Sequence, residues 1–223
     1  NTRKPTPMTP PTHARTRIKI CGITNHEDAQ AAVDHGADAI GFIFVEDTPR
    51  YIDPQEAAAI MFELPPMVSA VGVVQVTDID EFCTIEQICP AHTFQLHGKE
   101  PLELVKQCGP GVIKAFKYEE VTIQSQLNRW EKVEEIDALL LDGSDGGQGQ
   151  SFDWTKLAPL IKDYPKKIII AGGLDASNVG EVIQTLRPYA IDVSTGVESE
   201  PGIKDHAKIA ALCAAVRAAD ASN

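Results

Sequence analysis

The sequence lacks several features that would place it among membrane or nucleic-acid-binding proteins. No stretch approaches the roughly 18 consecutive apolar residues of a membrane-spanning helix. Basic residues are scarce, since 20 Lys and Arg stand against 32 Asp and Glu, a formal net charge of -12. We therefore expect no nucleic-acid and no membrane partner. An anionic ligand must instead be held locally, by backbone amides at helix starts or by a single arginine.

Patterns typical of metal sites and disulfide frameworks are also missing. The five cysteines are an odd number, and none lies in a CxxC pair. The six histidines show no spacing of the HxxxH kind with a nearby carboxylate. We expect no metal, no disulfide framework and a reducing compartment, which favours the cytoplasm.

The opening segment, residues 1–16, is rich in Pro and Thr and contains few apolar residues. Such a segment has little to bury, so we expect a disordered leader on which function does not depend. It lacks the hydrophobic middle of a signal peptide. The remaining residues, 17–223, suffice for one large α/β domain or two small ones.

Eight short β-rich runs, each followed by an amphipathic stretch, fill residues 17–223. The runs are RIKI, AIGFIF, AVGVVQV, TFQLHG, VIKAF, DALLLD, KIIIAGG and IDVSTG. Near-continuous apolar runs are typical of a parallel sheet covered on both faces. The pattern predicts a single (β/α)8 TIM barrel in the α/β class. An open doubly wound sheet is the alternative, but it usually has fewer strands, and no GxGxxG follows the first strand.

A TIM barrel carries its chemistry where the strands lead into the helices. Cys21 ends the first strand and Asp142 ends the sixth, so a thiol and a carboxyl would face one barrel mouth. A lone cysteine is more often buried packing, and an aspartate before a glycine is equally a turn or cap residue. Their shared address favours base-and-acid chemistry, and no nucleophile–His–Asp order suggests acyl transfer.

Glycine-rich segments follow the seventh and eighth strands, the two loops that frequently bind phosphate in barrels. Glycine allows close backbone approach, and amides there can point at an anion, although glycines are also common turn formers. The candidate phosphate-binding residues are Gly172, Gly173, Ser194, Thr195, Gly196 and Val197.

Two further mouth residues and one loop are candidates. Arg50 follows the second strand and can take a substrate carboxylate with its planar fork, although a lone arginine is usually solvated. His97 follows the fourth strand and is a candidate ring ligand or catalyst, or a structural residue. The loop at 143–150, GSDGGQGQ, lacks the ending of a P-loop, and we interpret it as a mobile lid.

Taken together, the motifs resemble the phosphoribosylanthranilate isomerases, barrel enzymes of tryptophan biosynthesis. The matching stretches are KICGIT, GFIF with TPRYI, VGVVQ, FQLHG, LLLDG with GGQGQSFDW, AGGLDASNV and DVSTGVESEPGIKD. They follow one another in order from residue 17 to about 208. KICGIT and DVSTGVE carry most of the resemblance, because AGGL alone would fit many phosphate-binding barrels.

The resemblance implies an aldose–ketose isomerase that performs an Amadori rearrangement of N-(5-phosphoribosyl)anthranilate, with no cofactor or metal. Asp142 matches the general acid, which protonates the ring oxygen so that the ribose opens to a protonated imine. Cys21 matches the general base, which removes the proton from C2. Arg50 matches the residue that holds the anthranilate carboxylate, and the glycine-rich loops match the phosphate site. The expected partner is this small phosphorylated substrate, and the chain would be a monomer or a homodimer.

Two rival functions and one departure stay open at this point. One rival is the related histidine-pathway isomerases, or a bifunctional version of them, which resemble doubled half-barrels with an aspartate where Cys21 stands. They would also have a second phosphate loop after the third strand, where this sequence reads VVQVTD. A binding module that kept the phosphate site without catalysis would have no need of Cys21 and Asp142. The family pattern GGTGK is replaced by Gln148-Gly149-Gln150 after Gly147, which removes a hydroxyl and a cation from the predicted lid.

Overall fold

The computed structural model describes residues 15–143 and 154–222. Within these residues, eight parallel strands form a closed barrel in chain order, and the last strand pairs back onto the first. The strands are β1 (Arg17–Cys21), β2 (Ala39–Ile43), β3 (Ser69–Val74), β4 (Thr93–Leu96), β5 (Val112–Lys117), β6 (Ile136–Asp142), β7 (Lys167–Ala171) and β8 (Ala190–Val193). The closed order confirms the predicted (β/α)8 TIM barrel, and the open doubly wound alternative is wrong.

A helix follows each of these strands. The helices are α1 (His26–Asp34), α2 (Pro54–Glu63), α3 (Ile79–Ile88), α4 (Leu102–Cys108), α5 (Ile123–Trp130), α6 (Trp154–Ile161), α7 (Val179–Leu186) and α8 (His206–Ala221). Side chains that accept a hydrogen bond from a first-turn amide cap four of them, namely Asn25, Asp53, Asp78 and Asp205. Such caps satisfy amides that the helix itself leaves unpaired, and they fix where each helix starts.

Two apolar regions lie on the two faces of the barrel sheet. The larger one packs the outward side chains of the strands, such as Ile18 and Ile20, against the helices. The smaller one fills the barrel interior with Ala138, Leu140, Ile169 and other inward side chains. Because side chains alternate along a strand, residues two positions apart share a face. Asp142 therefore faces the interior, as Ala138 and Leu140 do.

The residues at the start of the described chain are tied to the barrel. Thr16 is buried, and its amide and hydroxyl both donate to the Asp220 carboxylate at 2.8 Å. The Arg15 guanidinium pairs with Asp38. Both residues fall within the predicted leader, 1–16, and these polar contacts join them to the barrel. Residues 1–14 lie outside the described residues.

A short extension follows β8 before the last helix. It consists of a 3-10 turn (Thr195–Val197) and an antiparallel hairpin of β9 (Glu198–Glu200) with β10 (Ile203–Lys204). The hairpin lies beyond the carboxyl end of β8, beside the barrel mouth. Within the part of the chain that is described, no helix combines the length and apolarity that crossing a membrane requires.

Candidate active site

Cys21 lies at the carboxyl end of β1 and is only 5% exposed. Burial raises the pKa of its thiol above the ordinary value, and the nearby Asp192 carboxylate raises it further. The cations Lys19 and Lys204 act in the opposite direction. The ionisation of Cys21 therefore depends on the fixed charges around it.

The cation nearest to Cys21 in sequence, Lys19, shares its face of β1. Its Nζ donates to Asp192 Oδ1 at 2.9 Å, and both side chains are more than nine-tenths buried. Gly41 on β2 leaves room for the group, since a Cβ there would lie 2.7 Å from Cys21 Sγ and 3.0 Å from Lys19 Nζ. A buried ion pair thus borders the thiol inside the barrel.

Arg50 lies in the loop after β2 and is bound by a carboxylate of this chain. Its Nε and Nη2 donate to the two oxygens of Glu198, at 2.8 and 2.7 Å. Lys204 Nζ reaches the same carboxylate at 2.8 Å. Burial alone would raise the pKa of Glu198, but the hydrogen bonds from Arg50 and Lys204 hold it below its ordinary value. Glu198 is therefore ionised and shared by two cations.

The loops after β1, β2 and β8 meet at Gly22. Its φ of +76° lies in the left-handed region that favours glycine. A Cβ at this position would lie 2.8 Å from Arg50 Cδ and 3.1 Å from Ser194 Oγ. The glycine of the KICGIT motif therefore allows Arg50 and Ser194 to approach the end of β1.

The two predicted phosphate loops are packed against each other. Gly172 and Gly173 follow β7 directly, both with positive φ. A Cβ on Gly196 would overlap the carbonyl oxygen of Leu174 in the neighbouring loop. Val197 is fully buried, and its amide donates to the Ser194 carbonyl at 3.4 Å. The loops after β7 and β8 thus form one continuous backbone surface at the mouth.

Asp142 lies on the other side of the mouth, at the end of β6. Its carboxylate is 21% exposed, and Oδ2 lies 3.6 Å from His97 Nε2. The other ring nitrogen of His97 is 2.9 Å from Gln95 Nε2, and both of these side chains come from β4 and its loop. A cavity of about 770 Å³ borders His97 and Asp142. This volume is in the range of small-molecule sites.

A second buried ion pair lies on the helix-facing side of the sheet, next to the loop after β4. Lys114 on β5 donates to Glu100 Oε2 at 2.7 Å and to the carbonyls of Leu96 and Gly98. Lys114 points toward the helices, because its neighbours Ile113 and Ala115 fill the barrel interior. The pair therefore fixes the β4 loop that carries His97.

The structure places the predicted residues where the sequence analysis expected them, at the carboxyl ends of the strands. They form two groups: Arg50 and Ser194 lie close to Gly22, which follows Cys21, and His97 lies beside Asp142. The predicted lid, 143–150, lies outside the described residues beyond Gly143. No group of three or more possible metal ligands occurs within residues 15–143 and 154–222.

Four charged residues near the site were not identified from the sequence. They are Lys19, Asp192, Glu198 and Lys204. Lys19 and Asp192 carried a signal, because each interrupts an apolar strand at a position that faces the barrel interior. Glu198 ends the DVSTGVE stretch at the predicted mouth, but nothing in the sequence marked it as a partner of Arg50. Lys204 carried no signal, since its hairpin is recognisable only once the turn after β8 is known.

Comparisons with known proteins agree with this arrangement. Residues 18–215 match the family model described as N-(5'phosphoribosyl)anthranilate (PRA) isomerase. The N-(5'-phosphoribosyl)anthranilate isomerase of Acidithiobacillus ferrooxidans is 45% identical over 207 residues, 90% of this chain and 97% of that protein. The same enzyme from Dechloromonas aromatica is 41% identical over 215 residues, which cover 93% and 99% of the two chains.

Solved structures give the same result. A phosphoribosyl anthranilate isomerase in complex with reduced 1-(o-carboxyphenylamino)-1-deoxyribulose 5-phosphate superposes with a TM-score of 0.81 at 37% identity, covering 91% of this chain and 99% of the other. Monomers generated from the dimeric Thermotoga maritima enzyme superpose with a TM-score of 0.79 at 35% identity and the same coverage. The chain belongs to the N-(5'-phosphoribosyl)anthranilate isomerase family.

Proposed function

We propose that this chain isomerises N-(5'-phosphoribosyl)anthranilate to 1-(2-carboxyphenylamino)-1-deoxyribulose 5-phosphate, a step of tryptophan biosynthesis, with Asp142 as general acid and Cys21 as general base. The observation that carries the assignment is that a carboxyl and a thiol end β6 and β1 at the same barrel mouth. Three strand-to-strand steps around the closed barrel separate them. A substrate lying across the mouth can therefore meet one group at each end of the reacting carbons.

The reaction needs one proton transfer from Asp142 to the substrate and one from the substrate to Cys21. The Asp142 proton goes to the furanose ring oxygen as the bond from C1 to that oxygen breaks, and the nitrogen lone pair forms a protonated C1=N imine. Cys21 thiolate then takes the proton from C2, and the electrons of that bond move toward nitrogen to give an enol-amine. The enol loses its hydroxyl proton and C1 gains one, which yields the C2 ketone.

The raised pKa of Cys21 suits this step. A thiol that ionises reluctantly is a stronger base once it has ionised. The protonated imine brings a positive charge close to Sγ, and a nearby opposite charge favours the thiolate. The imine cation also acidifies the C2 proton, so a moderately basic group within hydrogen-bond reach is sufficient.

The remaining mouth residues would bind the substrate's two anionic ends. The amides of the loops that contain Gly172, Gly173 and residues 194–197 would hold the phosphate, because clustered backbone N–H groups attract an anion. Arg50 would hold the anthranilate carboxylate, and His97 would border the bound substrate. A cytoplasmic location fits the reducing environment expected from the cysteine content. The location and the oligomeric state, monomer or homodimer, both remain predictions.

Turnover of freshly generated phosphoribosylanthranilate, followed by its fluorescence, tests the assignment. We expect Cys21→Ala and Asp142→Asn each to lower kcat by about 10²- to 10⁴-fold, the usual contribution of a positioned acid or base. Cys83→Ala, at a half-buried cysteine on α3, and Asp137→Asn, at the exposed opposite end of β6, are matched controls. Near-parental turnover of either active-site variant would refute its role, and an inactive parent would refute the function.

A further inference from the structure

Glu198 joins two cations in a buried cluster beside the barrel mouth. Its side chain is 6% exposed, that of Lys204 is fully buried, and that of Arg50 is 20% exposed. Three hydrogen bonds of 2.7 to 2.8 Å connect them. Burying such charges costs free energy that good geometry only partly offsets. The hairpin that carries Glu198 and Lys204 takes no part in the barrel ladder, so barrel closure does not account for the cluster.

We propose that Glu198 is a positioning residue for the isomerisation proposed above. It binds the Nε and Nη2 edge of the Arg50 guanidinium, so that the outer end, Nη1 and Nη2, faces the substrate's aromatic carboxylate. The inference rests on the proposed function. Glu198 accepts hydrogen bonds from Nε and Nη2 of Arg50. Within the described residues, Nη1 makes no hydrogen bond, and it is not one of the fully buried side-chain atoms that lack a partner, so a ligand can reach it. The carboxylate would therefore be bound end-on, through Nη1 and the second proton of Nη2.

Lys204 makes this arrangement electrostatically possible. A glutamate beside a carboxylate-binding arginine would cancel its charge and repel the substrate. With Lys204 included, the three side chains carry a net charge of +1. The cluster thus keeps the attraction for one carboxylate while it fixes the direction from which Arg50 presents its free edge.

The same cluster touches the predicted phosphate loop. Lys204 Nζ lies 3.3 Å from the Ser194 carbonyl and 3.4 Å from its hydroxyl. Arg50 and Ser194 also both lie close to Gly22. Through Lys204, Glu198 therefore links Arg50, which would bind the carboxylate of the substrate, to the Ser194 loop, which would bind its phosphate.

Glu198→Gln separates a positioning role from a charge-moderating role, because the two roles predict opposite changes in affinity for a carboxylate ligand. Gln keeps the shape, removes one negative charge and raises the net charge of the cluster to +2. If Glu198 only moderated the charge, anions would bind more tightly. If it positions Arg50, a carboxylate ligand would bind more weakly, since Gln cannot accept both guanidinium hydrogen bonds.

Two ligands make the test specific for the carboxylate. Isothermal titration would use reduced 1-(2-carboxyphenylamino)-1-deoxyribulose 5-phosphate and its counterpart with an unsubstituted phenyl ring. We expect Glu198→Gln to weaken binding of the first at least about tenfold and of the second less than twofold, with KM raised more than kcat is lowered. Glu200→Gln, exposed on the same strand, is the control and should change neither affinity.

The outcomes separate this inference from the proposed function. A parent without turnover refutes the function itself. An active parent whose Glu198→Gln variant binds the carboxylated ligand more tightly, or loses affinity equally for both ligands, refutes the positioning role. If the variant does not fold, Glu198→Gln with Lys204→Gln removes both buried charges and keeps the net charge at +1. This double variant should still lose affinity for the carboxylated ligand selectively. Affinity for that ligand equal to that of the parent would overturn the inference.

Discussion

The two sides of the barrel mouth are built differently. The side formed by β1, β2 and β8 holds Cys21 at 5% exposure, with the pair Lys19–Asp192 and the Arg50–Glu198–Lys204 cluster around it. The side formed by β4, β5 and β6 leaves Asp142 21% exposed beside a cavity of about 770 Å³. We refer to these as the base side and the acid side.

Each side of the mouth suits the step proposed for its group. A thiol becomes a useful base only when fixed charges and exclusion of water set its ionisation, so the base side is closely packed. An aspartic acid that protonates a ring oxygen must exchange protons with its surroundings after each turnover, and partial exposure permits that. The comparison predicts that the base side is more sensitive to changes in charge and volume.

Among changes to the residues around Cys21 and Asp142, the largest effect should come from Lys19→Met. Removing the cation leaves Asp192 unpaired beside Cys21, and both changes raise the pKa of the thiol further. In the parent, kcat/KM should rise with pH as the thiolate forms. In the variant, that rise should move to higher pH, and kcat/KM at pH 7 should fall by about tenfold or more, because the loss of a nearby cation leaves less of the thiol ionised there. The rate of Cys21 alkylation by iodoacetamide, followed by peptide mass spectrometry, should move with it.

Lys114→Met is the matched control on the acid side. Lys114 is also a buried lysine bound to a buried carboxylate, Glu100, but it faces the helices. Breaking either pair should lower the free energy of unfolding by about 3 to 5 kcal/mol, because a buried charge is left unpaired. Only Lys19→Met should also displace the pH profile. Equal displacement in both variants would show that the base side has no special dependence on its ion pair.

A moderate effect should come from Gly22→Ala, which tests packing on the base side. An alanine at a φ of +76° is strained by about 1 to 2 kcal/mol, and its Cβ would press against Arg50 Cδ at 2.8 Å. We expect a lower free energy of unfolding in urea and a raised KM, because Arg50 is held by Glu198 and cannot move aside without losing that pair.

Two other glycines separate strain from crowding. Gly111 has a φ of +88° but no atom near the position of a Cβ, so Gly111→Ala measures the strain alone. Gly180 lies within α7 with open space around it, and Gly180→Ala should stabilise by about 0.5 to 1 kcal/mol. If Gly22→Ala cost no more than Gly111→Ala and left KM unchanged, the close approach at Gly22 would be without consequence.

The sequence predicted the barrel well because its evidence is local. Apolar runs such as DALLLD directly indicate a buried strand, and the end of that strand then predicts that Asp142 lies at the barrel mouth. The contacts of the base side could not be predicted in this way. The hydrogen bonds from Arg50 to Glu198 join residues 148 positions apart, and the one from Lys19 to Asp192 joins residues 173 apart, so they depend on how the barrel closes. Arg50 illustrates the gap: its place at the mouth was predicted, but its internal partner was not.

The smallest effect should come from His97→Asn on the acid side. His97 Nε2 lies 3.6 Å from Asp142 Oδ2, which is longer than a hydrogen bond, so the histidine does not fix the carboxylate. We expect kcat to fall less than about tenfold, far less than for Asp142→Asn, and the stability in urea to change little because the ring is partly exposed. Steady-state kinetics of the two variants under identical conditions provide the check. A loss in His97→Asn as large as in Asp142→Asn would make the histidine part of the proton transfer, and the acid side would then be as closely organised as the base side.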